Sequence, residues 1–177
     1  MIELSKSETA LLAVVLGWFL GQGAELFKSY IARKKMLKAF YSELDDILDH
    51  LNQSKEKCES GLKNARYKTV MCPQKIIRPV YDSYYKDIYT SLTPSKRKAI
   101  NKIHGHVTSF NQRLVAIDES FNNLELKFLA AYIDALWAAE LIKHLKDFNG
   151  TKELKDDEDK ITLINTEIQN LTKQNHI

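Results

Sequence analysis

Arg66, Tyr67, Lys68, Lys75, Arg78, Tyr81, Tyr84, Tyr85, Lys86 and Tyr89 interleave cations with aromatic rings, and Lys96-Arg97-Lys98 and Lys102 follow shortly after. Cations beside stackable rings suit a phosphorylated ligand, because the cation takes the phosphate charge and the ring takes a base or covers the cation. Lys96 and Arg97 also fall at an expected helix start, where backbone amides add anion donors. From this set Arg78, Tyr85, Tyr89, Lys96, Arg97, Lys98 and Lys102 make a candidate anion-binding site, for a nucleotide, a nucleic acid or anionic lipid headgroups. The competing reading is structural: at helical spacing Tyr81, Tyr84 and Tyr85 are half-buried packing residues.

Other chemistry is thin. His104-Gly105-His106 places two imidazoles on different faces of a helix, with no acidic or Cys partner three or four residues on, so a solvent-facing or cap-like pair is expected and no metal. His50, His144 and His176 are scattered. Asp45-Asp46 and Asp156-Asp157-Glu158-Asp159 lack the Gly and the spacing of a calcium loop and read as solvated charge runs. No nucleophile elbow, phosphate-binding loop or Gly-rich cradle is present, so neither an enzyme nor a cofactor is expected. Cys58 and Cys72 are too few to staple a secreted scaffold and fit free thiols in a reducing cytosol.

The charge balance is uneven. Of 26 basic and 23 acidic residues, 12 basic and 4 acidic lie in residues 55–102, whereas residues 118–177 hold 7 basic and 12 acidic. Such asymmetry points to an anion on the middle third or to attraction between the two segments. Six Gly and three Pro in 177 residues argue against an all-β fold and for long helices.

Thr9 to Ala24 carries no charge, and Lys28, Arg33, Lys34, Lys35 and Lys38 follow it. At ~1.5 Å per residue this stretch spans about 24 Å, so crossing a ~30 Å hydrocarbon layer requires Leu4, Leu26, Phe27 and Tyr30 at the interfaces and Lys28 snorkelling. A signal peptide would carry its basic end first, and a buried core helix is the other rival. The basic flank predicts the N-terminus outside and the remainder in the cytoplasm, in a single pass of an inner membrane. Ala13, Gly17 and Gly21 recur one turn apart, the spacing that lets two helix backbones approach, and Gln22 and Glu25 continue the stripe as a polar seam. A homo-oligomer through this face is expected.

From Phe27 no breaker appears for over thirty residues, and Leu37, Phe40, Leu44, Ile47 and Leu51 keep heptad spacing, with Ser42, Glu43, Asp45, Asp46 and Asp49 outward. One rod should therefore run to near Gln53 or Cys58. Pro79 opens a helix to Leu92. Thr93-Pro94 starts another, whose 3-4 spacing persists from Ile100 to Leu124 with a loosening at Ser120–Asn123. Phe128 to Leu145 continues helically to Asn149-Gly150. A charged connector, Lys152 to Lys160, precedes a weaker helix on Ile161, Ile164, Ile168 and Leu171. The expected fold is all-α: a transmembrane helix running into a cytosolic antiparallel bundle of four or five helices. Its divisions are an anchor (1–30), a juxtamembrane coiled-coil rod (31–58), a bundle (59–150) and a connector with C-terminal helix (151–177).

The run LGWFLGQGAELFKSYIARKKMLKAFYSEL, followed by the Tyr-rich turn into TPSKRKAINKIHGHV, resembles a diffuse class of small bacterial single-pass proteins with a cytosolic bundle, some encoded with anti-phage systems. The resemblance implies a membrane-anchored oligomeric interaction protein that recruits or restrains a cytosolic protein partner. Its alternative is a ligand-sensing effector, in which a nucleotide-type anion on the basic face rearranges the transmembrane helices and disrupts the membrane.

Overall fold

With no proline before residue 73, the first helix has nothing to stop it, and three glycines near its start, at about 1 kcal/mol each relative to Ala, do not break it. In the computed structural model α1 runs from Lys6 to Asn64, 59 residues and roughly 88 Å. The structure describes residues 6–65, 71–119 and 122–175, so Glu3, Leu4, Arg66, Tyr67, Lys68, Phe121 and His176 lie outside the described residues. Helix α2 spans Pro79–Ile88 and ends in a 3-10 turn, Tyr89–Ser91. Helices α3 (Pro94–Glu119), α4 (Leu124–Phe148) and α5 (Glu158–Gln174) follow, a second 3-10 turn at Leu154–Asp156 leading into α5. Among the described residues the chain is all-helical, with no strand.

The boundaries have local causes. Thr93 Oγ1 accepts the Lys96 amide at 3.3 Å, with Pro94 at the first helical position. Asn123, in the left-handed region at φ 54°, opens α4, and Asn149 (φ 48°) and Gly150 (φ 72°) close it. A side chain at Gly150 would also meet Lys96 Cγ at 2.5 Å, so the turn is tied to the start of α3. Helix α5 begins inside the expected charged connector because Asp157 caps it, accepting the Lys160 amide, and Glu158 and Asp159 suit the positive end of its dipole.

Helix α4 is the centre of the core. Ala131, Ala135, Ala138 and Ala139 are buried along with Phe128, Leu136 and Ile142, as befits a helix apolar on most of its surface. It packs against α1 on one side and α3 on the other. At Gly61 the approach to α4 is so close that an added Cβ would fall 2.6 Å from the Phe128 ring.

Helix α1 has two different halves. By length and composition a stretch near its N-terminus is apolar enough to cross a membrane, and none of that stretch is buried in the protein. Leu11, Val14, Trp18, Phe19, Leu20, Leu26 and Phe27 all stand exposed. Further along, Phe40, Leu44, Ile47, Leu51, Cys58 and Leu62 are fully or almost fully buried. The heptad seam of the expected juxtamembrane coiled-coil rod (31–58) packs inside the protein from Met36 onward, and the helix continues past Cys58 to Asn64. The physical reason is that α4, apolar on most of its surface, packs along this seam.

Candidate functional site

Between α1 and α2 the chain has no regular secondary structure over 71–78, and side chains pin it down. Asn111 on α3 holds Ile76 with two bonds, its amide donating to the Ile76 carbonyl and its carbonyl accepting the Ile76 amide, both 2.9 Å. Arg78 Nη1 donates to the His104 carbonyl (3.1 Å) and to Thr108 Oγ1 (2.9 Å). Arg78 precedes Pro79 at the cap position of α2 and has no acceptor with which to cap it. Glu43 on α1 supplies the missing cap: its two carboxylate oxygens accept the Val80 and Tyr81 amides at 2.6 and 2.8 Å. Glu43 is therefore buried, a correction to its outward reading within the heptad. A carboxylate accepting two amides at a helix N-terminus is both charge-assisted and aligned with the dipole.

The tyrosines of α2 line up on α1 and α3. Tyr81 stacks on His104 with ring centroids 3.5 Å apart, Tyr85 stacks on Tyr81 at 4.7 Å, and Phe40 sits beside all three rings. His104 is thus a buried stacking residue and not the solvent-facing one expected. Neither ring nitrogen has a hydrogen-bond partner. Burial, reinforced by the Arg78 charge, pushes its imidazole down to about 3, so the ring is neutral. Tyr85 donates to Asn101 Oδ1 at 2.9 Å, and burial, then the neighbouring tyrosines, pushes its phenol up to about 12.

The seven residues of the expected anion site do not converge on one cavity. Arg78 is engaged with α3 and lies 3.6 Å from Asp82. The Arg97 guanidinium lies over the Tyr89 ring at 4.4 Å, and its Nε donates to the Leu92 carbonyl. Lys98 pairs with Glu153 at 2.7 Å and Lys102 approaches the same carboxylate at 3.9 Å. Those pairs join the basic middle third to the acidic last third, as does Lys55–Glu167, whereas Lys146–Asp45 ties α4 to α1 with the charges the other way round. Lys96, half-buried against Gly150, has no ion-pair partner among the described residues.

Two further surfaces stand out. An open groove of about 640 Å³ between α1 and the segment leading into α2 is lined by Glu43, Asp46, Asp49 and His50 on one wall and Ile76, Ile77, Pro79 and Val80 on the other. Ile77 is 77% exposed, so the groove has an apolar lip as well as an acidic wall. Sequence reasoning missed this groove because its two walls lie about 30 residues apart and neither carries a motif. On the apolar half of α1, Ala13, Gly17, Gly21, Gln22 and Glu25 are all exposed, and a Cβ added at Gly17 or Gly21 would meet nothing within 4 Å. That stripe leaves bare backbone on the helix surface.

The remaining reactive groups serve packing. His106 pairs with Asp134 at 3.1 Å, and Arg113 approaches the same carboxylate. Burial pushes the Cys58 thiol up to about 12 and the Cys72 thiol up to about 11, the Asp118 carboxylate adding to the latter. Among the described residues no group of three His, Cys, Asp or Glu side chains is placed to hold a metal ion. Compared with protein-family models, with curated proteins and with solved structures, the chain matches none.

Proposed function

We propose that this chain is a membrane-anchored, non-enzymatic interaction protein, whose helical body recruits or restrains a protein partner in the cytoplasm. The observation that carries this reading is the double character of α1. One unbroken helix passes from a stretch exposed on every side, with the composition of a membrane span, to a seam buried in the core. An apolar surface of that extent is stable in water only when something covers it, and lipid covers a helix all round. The five cations of Lys28–Lys38 support, by the positive-inside rule, a reading with the body on the cytoplasmic side of an inner membrane and the N-terminus outside.

Self-association follows from the bare backbone at Gly17 and Gly21, with Ala13 before them and the polar Gln22 and Glu25 after. The partner-facing surface in this reading is the groove between α1 and residues 71–78, whose acidic wall and apolar lip suit a basic segment with an apolar anchor residue. Arg78, Arg97, Lys98 and Lys102 are engaged with the protein's own carbonyls, rings and carboxylates, which favours this reading over a ligand-sensing effector. A place in bacterial anti-phage defence belongs to the same proposal and is tested by the genes encoded beside this one.

The direct test is carbonate extraction followed by protease protection. The chain should stay in the membrane pellet, and protease added from the cytoplasmic side should reach the helical body. Release into the carbonate supernatant refutes the anchor. A photo-crosslinker at Ile77 should yield one discrete heteromeric product that a crosslinker at Leu163, on the exposed face of α5, does not give. Identical products from the two positions refute the groove.

A further inference from the structure

The two halves of α1 are joined without a linker, and this fixes where the body stands relative to a bilayer. If Lys28 marks the edge of the hydrocarbon, the headgroup layer of one leaflet, about 5–8 Å, ends near residues 32–33. Met36 and Leu37 already pack against the core, and Phe40 is fully buried. The core therefore begins within one turn of the headgroups.

The fold then determines which residues occupy that end. Helix α2 starts at the level of Glu43, which binds its first amides, and runs back along α1 towards the apolar half, past Phe40 to the 3-10 turn at Tyr89–Ser91. Helix α3 starts there too: Arg97 covers Tyr89, whereas His104, two turns further on, is level with Phe40. The turn after α4 arrives at the same end, with Gly150 against Lys96. So Lys86, Lys96 and Arg97 lie at the same end of the body as the part of α1 that bears Arg33, Lys34, Lys35 and Lys38. Among the described residues no ion pair involves Lys86, Lys96 or any of those four α1 cations. Of the acids on these elements, Asp82 faces Arg78, Asp45 faces Lys146, Asp147 approaches Lys160 and Glu153 is shared by Lys98, Lys102 and Lys155. Asp87 is the exposed acid beside Lys86, and Asp46 and Asp49 further along α1 and Asp156, Glu158 and Asp159 beyond the turn after α4 are exposed as well. Tyr84 and Tyr89 are 47% and 40% exposed at this end, amphipathic rings of the kind that settle at headgroup depth.

We propose that the helical body is seated end-on against an anionic leaflet, with Lys86 and Lys96 joining the α1 cations on the lipid phosphates. The inference rests on the anchor reading of α1 and adds a second, electrostatic contact between body and bilayer. That contact holds the body upright on the surface and points the far end, with Gly61, Asn123 and Leu171, into the cytoplasm. Polybasic surfaces bind anionic lipid in this additive, salt-sensitive way.

The test uses the full chain reconstituted into nanodiscs of phosphatidylcholine alone and of phosphatidylcholine with phosphatidylglycerol at about 3:1. Amide exchange over residues 84–99 should be about tenfold slower in the anionic discs. The difference should vanish at about 1 M salt, where screening shortens to ~3 Å. The double variant Lys86→Glu/Lys96→Glu should abolish the difference while leaving the melting temperature in place, and Lys63→Glu at the far end should retain it. Equal exchange over 84–99 in the two lipids, with the chain resistant to carbonate, overturns the end-on seat and leaves the anchor standing. Failure to insert into either bilayer overturns both.

Discussion

Replacing Glu43 by Ala tests the cap that α1 provides to α2. The variant strands the Val80 and Tyr81 amides, which the structure pairs with Glu43 at 2.6 and 2.8 Å, and Arg78 has no acceptor to replace them. Hydrogen bonds to a charged group are each worth about 1.5–3 kcal/mol, and a helix cap about 1. Both amides are only part-buried, so the lower end applies and the loss comes to ~3 kcal/mol. For a body of this size 1 kcal/mol moves the melting temperature by roughly 3–5 °C, so Glu43→Ala should melt about 10 °C lower. Glu43→Gln keeps one carbonyl acceptor and should lose roughly half as much. Asp46→Ala, one turn on and exposed in the same groove, should stay within about 0.5 kcal/mol of the parent. The assay is thermal unfolding of the full chain in detergent, with amide exchange over residues 79–85 to locate the loss. If Glu43→Ala melts no lower than Asp46→Ala, Glu43 is not the cap of α2.

Three other outcomes are expected. His104 is held neutral in the fold at about 3, whereas in the unfolded chain it takes up a proton near its ordinary 6.5. The unfolded state therefore binds more protons below pH 6.5, and stability falls as pH drops from 6.5 towards 3. Between pH 7 and 5 this group alone costs about 2 kcal/mol, and His104→Phe, which keeps a ring against Tyr81, should flatten that slope in pH-dependent melts. Gly61→Ala places a methyl 2.6 Å from the Phe128 ring and should destabilise by about 1–3 kcal/mol despite its better helix propensity, read by denaturant titration. Gly17→Ile with Gly21→Ile removes the bare backbone of the apolar half; self-association in detergent should weaken at least tenfold, or ~1.4 kcal/mol, by native mass or sedimentation.

What the sequence made legible is what short-range rules encode. Thr93-Pro94 and Asn149-Gly150 mark their helix ends because caps and left-handed residues act within four positions. The all-helical class follows from scarce Gly and Pro and persistent 3-4 spacing. Glu43 and His104 were misread for one reason: their partners, the α2 amides and the Tyr81 ring, lie 23 to 38 residues away. A heptad also does not say whom its seam will meet, and here Phe40, Leu44, Ile47 and Leu51 meet the rest of their own chain. The expected anion residues were visible as a charge excess, but the excess does not say where each cation goes. Glu153, which gathers Lys98, Lys102 and Lys155, had no signal beyond the acidity of its surroundings.

The pairing of α1 with α4 also sets an order of events during synthesis. The seam from Phe40 to Leu62 leaves the ribosome first, but the helix that covers it is finished only at Phe148, ~86 residues later. At about 5–20 residues per second the nascent chain waits roughly 4–17 s with that seam uncovered. Helices α3 and α4 are neighbours in the chain and close on each other quickly, whereas contacts such as Gly61 with Phe128 must wait for a long loop to close. The apolar half of α1 emerges earlier still, so on the proposed anchor reading insertion into a membrane would begin while the seam behind it is still bare. On that reading delivery and folding would run concurrently, and whatever shields the seam in the interval competes with α4 for it.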